Sequence, residues 1–270
     1  MNFKSIGETI LKIKYIKDKI LISIIILIIG IIMCSLISIL GFYSEVKFGA
    51  IDILYSPSGS EGVLGSRFQT IVIIPIFTFL VSSIINIYNN PFIIIKNTSR
   101  VNLWDKQIKD CILFSLLFVI ALFILGYLIA GFLAKDFNSY FSSKEGFNYL
   151  ISNKNHELLN KLQTFSTLKI MLISFISLFL GLSFISILIA TLKIFFKSKY
   201  VVSIIVLLTM CESVINIKFV VNYTTMNLNR WMNYPNIIIE NMFLLGISII
   251  IYFIGRYLIN KKDFLLKKEF

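Results

Sequence analysis

Residues 111–134 read CILFSLLFVIALFILGYLIAGFLA, with no charged side chain until Lys135. A bilayer's hydrocarbon core is about 30 Å thick and a helix rises about 1.5 Å per residue, so about twenty apolar residues cross it. Residues 111–134 exceed that length without interruption, and a helix apolar on every side must be buried, in a membrane or in the core of a large protein. Working outward, residues 70–87, 20–42, 168–192, 200–217 and 237–254 have the same character. Lys169 sits at the lip of the fourth stretch and Glu212 within the fifth. Composition agrees: 57% of the 270 residues are hydrophobic, 15% are charged and the mean hydropathy is +0.86. Soluble domains carry about 25% charged residues.

The expected fold is an all-α integral membrane protein. Residues 1–19 are expected as an amphipathic interfacial helix, residues 20–258 as a six-span domain and residues 259–270 as a basic cytoplasmic tail. In the first segment, Phe3, Ile6, Ile10, Ile13, Ile16 and Ile20 recur at three- and four-residue steps between lysines, as in a helix lying in the headgroup layer. A cleaved signal peptide fits poorly, because the charged lead and the apolar run are both long and no small-residue cleavage site follows.

With the N-terminus placed inside, 17 of the 26 Lys and Arg fall on the cytoplasmic side. That asymmetry, together with an even number of spans, puts both termini in the cytoplasm. The formal charge of +12 is therefore read as membrane anchoring, and nucleic acid is not an expected partner. Cys34, Cys111 and Cys211 form no metal or disulfide pattern, and the single histidine, His156, reads as a solvated loop residue.

The absent motifs exclude most catalysis. The chain has no G-x-x-x-x-G-K-[ST] to cradle phosphates, no H-E-x-x-H for zinc and no G-x-S-x-G nucleophile elbow. It is expected to be no enzyme and to bind no cofactor or metal of its own. Within the spans the acidic groups are Glu212 and Glu240, on different helices. An intramembrane carboxylate is costly. Glu212, with Asn216 one turn on, either lines a substrate path or ties helices together. Residues 222–235, NYTTMNLNRWMNYP, read as an interfacial aromatic belt, with a re-entrant element as the alternative.

Residues 89–110 precede the central span. Thr98 or Ser99 is placed to cap a helix starting near Arg100, with Trp104 and Ile108 on one side and Lys106 and Lys109 elsewhere. The basic amphipathic lead, six spans, the S-R-x-x-x-W element at 99–104 and the basic end at 255–265 (GRYLINKKDFL) resemble the small type-2 ABC exporter permeases. These are six-helix membrane subunits of bacterial peptide or drug export and immunity systems. The chain departs from the pattern at Lys96, Asn97 and Thr98, where members often carry Arg and Gly.

The resemblance implies a bacterial cytoplasmic-membrane permease that works with a separate P-loop ATPase, which would hold the ATP and Mg²⁺, and with a second permease, the same or homologous. It implies that Asn97, Thr98, Ser99, Arg100, Asn102 and Trp104 form the ATPase-coupling element, and that the cargo is a hydrophobic or cationic peptide or a lipid-like compound. Membrane lipid is the other expected partner. The alternatives are a scaffold or sensor that transports nothing, and an ion-coupled transporter using Glu212.

Overall fold

The protein is described from a computed structural model covering residues 3–41, 47–55, 61–90, 93–94, 99–140, 143, 145–146, 166–215, 218–225, 230 and 233–261; the side chains of 3–16, 213 and 214 lie outside the description. Asn97, Thr98, Asn216, His156 and the tail beyond Lys261 also fall outside it.

Eight helices carry the described chain: α1 (Phe3–Gly41), α2 (Ala50–Leu54), α3 (Ser66–Tyr88), α4 (Arg100–Ala134), α5 (Thr167–Leu192), α6 (Ser198–Ile215), α7 (Val221–Thr224) and α8 (Tyr234–Lys261). Among the described residues, five stretches are long and apolar enough to cross a membrane: 25 residues of α1 from Lys17, and α3, α4, α5 and α8. This is the build of a multi-pass membrane protein. The stretch at 200–217, expected as a sixth span, lies mostly in α6, an 18-residue helix.

Helix α1 runs unbroken for 39 residues, through the boundary expected at residue 19. At about 1.5 Å per residue it is about 58 Å long, well beyond the thickness of a bilayer. The S-R-x-x-x-W element is likewise the first turns of α4, which continues for 35 residues. Its start is set by Ser99, in an extended conformation, whose Oγ accepts the Asn102 N–H at 3.1 Å. This satisfies one of the orphan donors of the first turn.

Helix α5 lies at the centre, packed most extensively against α8 and α4 and also against α3, α6 and α7. Its residues from Gly181 to Ile187 are all buried, with Ser183 and Ser186 among them. Small residues let helix backbones approach where hydrophobicity alone gives no drive between helices. Ser174, Thr191, Ser115 and Thr78 donate back to carbonyls of their own helices, so these hydroxyls stay satisfied away from water. The perimeter is the reverse. Leu21, Ile25, Ile29 and Ile37 on α1 and Ile239, Ile250 and Phe253 on α8 are large, apolar and exposed. An apolar outside around a serine-bearing inside suits a lipid solvent.

Helix α3 opens with a π-helical turn over Gln69–Ile73 and carries Pro75 just after it. The wide turn places Gln69 inward, where its Nε2 donates to the Leu64 carbonyl at 2.9 Å.

Candidate functional site

Two regions carry the polar chemistry of the bundle, one near each end. The first is where α4 begins and α8 finishes. Trp104 is 1% exposed, its ring seated over Gly255 of α8 beside Thr191 of α5. A Cβ at 255 would collide with the indole, so a residue without a side chain is required there. One helical turn before Gly255, Tyr252 lies 6.5 Å from the Trp104 ring and donates its hydroxyl to Asp105 at 2.6 Å. Arg256 reaches the other oxygen of Asp105 at 3.5 Å. Arg100 extends to the Asn260 carbonyl at 3.5 Å, and Asn102 is exposed. The start of α4 is thus fastened to the end of α8.

Trp104, a member of the coupling element that the resemblance implies, is thus buried within its own chain. Of the element's described side chains, Ser99 and Asn102 are exposed, Arg100 is half-buried and Trp104 is buried.

Beside this junction an open cleft of about 390 Å³ runs between α4, α5 and α8. Ile108, Ile112, Phe179, Ile187, Leu245 and Ile249 supply apolar walls, and Tyr252 stands at the junction end. The volume falls in the range of small-molecule sites, about 300–1,000 Å³.

The second region surrounds Glu212, which is 1% exposed near the far end of α6. Its Oε1 accepts the backbone N–H groups of Phe219 and Asn222, both at 2.8 Å. Its Oε2 accepts those of Val220 at 2.9 Å and Val221 at 2.8 Å. The four amides are those around the start of α7, so the carboxylate caps a helix that follows it closely in sequence. A carboxylate has about four lone-pair sites, and here each meets an amide. Helix α7 in turn packs on Gly181, midway along α5, where a Cβ would collide with Thr224. The Thr224 hydroxyl donates to Gln69 Oε1 at 2.6 Å. Residues 218–225 therefore fold back onto α5 and α3; residues 226–229, 231 and 232 of the stretch expected as a belt or re-entrant element lie outside the described residues. The second acidic residue, Glu240, pairs with Arg230 and, at 3.2 Å, with Lys218.

Two features escape the sequence reading. Lys193, counted there as a basic anchor, is buried and donates to the Ser82 carbonyl at 2.7 Å and to Asn86 Oδ1 at 2.6 Å. It thereby ties α5 to α3, and Ser198 at the start of α6 joins through the same Asn86 oxygen at 2.8 Å. A lysine four residues before another basic residue gives no sign of this. The segments around α2 and after α4 also join. Asp52 of α2 accepts Gly49 N–H at 2.9 Å and Tyr140 N–H at 3.0 Å, while Ala50 N–H donates to the Asp136 carbonyl at 3.0 Å. Burial pushes the Asp52 carboxyl up to about 6.

The structure thus groups Ser99, Arg100, Asn102 and Trp104 at one end and sets Glu212 apart from them. No group of three or more His, Cys, Asp or Glu able to hold a metal occurs among the described residues. The arrangement defines a multi-helix membrane protein with a lateral apolar cleft beside a basic junction. No protein-family profile, curated protein or solved structure matches the chain.

Proposed function

We propose that the chain is the transmembrane permease subunit of an ATP-driven exporter in a bacterial cytoplasmic membrane, with six spans and both termini cytoplasmic. It would act with a separate P-loop ATPase and a second permease. The observation that carries this reading is the junction of α4 and α8. Helix α4 extends past the apolar stretch, and its first turns are keyed to the last turns of α8 through Trp104 and Gly255. A push on Arg100 and Asn102 would be delivered to α4 and α8 together, the two helices that bound the cleft with α5. Binding at one place changes another only through an element with two arrangements that both sites bias. Tilting this pair against α5 is such an element. ATP and Mg²⁺ belong to the partner in this reading, and the cargo is a hydrophobic peptide or lipid-like compound. The ion-coupled alternative would need Glu212 free to exchange an ion, and four backbone amides bond its carboxylate.

The test is purification from the native host in mild detergent, with co-purifying proteins identified by mass spectrometry. Arg100→Glu/Asn102→Glu is the variant of choice, because both side chains reach the surface and Trp104 does not. A P-loop ATPase retained by wild type and lost from the variant is the expected result. Its absence from both samples would overturn the exporter and leave the scaffold or sensor.

A further inference from the structure

The cleft between α4, α5 and α8 opens sideways. Ile249 on its wall is 47% exposed, and Leu113 on α4, Ile176 on α5 and Phe253 on α8 continue the exposed apolar surface around it. Such a mouth admits hydrocarbon and not a soluble metabolite. From Phe179 to Ile187 the α5 wall spans eight residues, a rise of about 12 Å, which is a length suited to a hydrocarbon chain.

One end of the cleft is charged. Tyr252 belongs to the cleft, and Arg256 follows one turn later on the same face of α8. The Arg256 guanidinium is partly exposed, its Nε has no partner among the described residues, and its contact with Asp105 is long, at 3.5 Å. A separation of that size makes a weak hydrogen bond. Arg100 reaches the last turn of α8, Lys106 and Lys109 are exposed on α4, and Lys261 closes α8, so Asp105 and Asp110 are outnumbered by cations at this end. Apolar walls leading to a basic rim match an amphiphile whose head is negative and whose tail is hydrocarbon.

We propose that this cleft is a binding site for one chain of an anionic membrane phospholipid, with the phosphate at Arg256 and the chain lying along α5 between α4 and α8. The site does not depend on the exporter reading and would serve a scaffold equally.

The probes are two photoreactive phospholipids with the same diazirine-bearing chain, one a phosphatidylglycerol and the other a phosphatidylcholine. Each is offered to the full chain in vesicles, and the labelled peptides are mapped. Wild type is expected to take the anionic probe about fivefold over the zwitterionic one, with labels concentrated between Phe179 and Ile187 and between Leu245 and Tyr252. Filling the cleft by Ser248→Phe or, independently, by Ile112→Phe should remove those labels while the protein stays monodisperse. Arg256→Gln should keep the labels and abolish the headgroup preference, whereas Lys199→Gln, outside the cleft, should keep both. Equal labelling by the two probes, or labels spread evenly over α1 and the other exposed helices, would mean bulk lipid only and overturn the site. Disulfide cross-linking between two copies carrying Ser248→Cys, in unlabelled membranes, would mean that a second chain covers the cleft and would also overturn it.

Discussion

The single residue with the greatest structural burden is Glu212, and the reason lies in what surrounds it. A carboxylate removed from water is tolerated when hydrogen bonds replace its hydration. In Glu212→Gln one oxygen becomes an NH₂ that faces two amide donors it cannot accept. The expected outcome is a loss of about 3 kcal/mol, read as a lowered unfolding temperature in detergent. An unchanged unfolding temperature with lost activity would instead indicate a chemical role. Asp52 gives a second residue-scale prediction, through pH. Its folded carboxyl titrates near 6, above the ordinary value of 3.8. The folded state therefore binds more protons than the unfolded chain between about pH 4 and pH 6, and stability falls as pH rises through that window. Asp52→Asn keeps an acceptor for Gly49 and Tyr140 and carries no charge. It should flatten the slope and raise stability at pH 7 by no more than about 3 kcal/mol, as checked by thermal unfolding from pH 4 to 7.

At the scale of helices, the contact of α4 with α8 turns on one missing side chain. Gly255→Ala places a methyl group where the Trp104 ring lies. Overpacking of this kind costs about 1–3 kcal/mol. The variant should unfold earlier, and Trp104→Phe, which shortens the ring system, should recover part of the loss; no recovery in the double variant would detach the two positions. The long helices could be read from the sequence because their signal is additive over twenty or more residues. The start of α4 could be read too, since Ser99 is a capping residue followed by a basic, amphipathic turn. The burial of Trp104 could not, because it depends on Gly255, which is distant in the chain and meets it only in the folded bundle. Helix α7 was not legible. Its cap is a side chain from another helix and its donors are backbone amides, which every sequence possesses.

For the whole molecule, the sequence argues orientation from the distribution of Lys and Arg, and labelling can test it. In a chain with Cys34, Cys111 and Cys211 changed to Ala, Lys47→Cys should react with an impermeant maleimide added to intact cells. Lys199→Cys should react only after the membrane is opened. The reverse pattern would invert the topology. Segments far apart in the chain also join: Lys47 and Glu145 form an ion pair at 2.7 Å and Asp52 bonds Tyr140. Pairings between loops leave no periodicity to detect. Lys193 shows the same limit, since its partners on α3 are a carbonyl, a hydroxyl and an amide, with no complementary charge to point to them.

The ordering of Glu212 and its donors also bears on how the chain is made. The four amides follow the carboxylate by seven to ten residues. A ribosome supplies them within moments of Glu212 itself, long before α8 has been synthesised. The charge is thus chaperoned by its own downstream backbone, and α6 with α7 can leave the insertion machinery as a finished hairpin. Inserting residues between Ile215 and Lys218 would lengthen that interval and should trap the nascent protein at this step, even where the completed fold could absorb the extra loop.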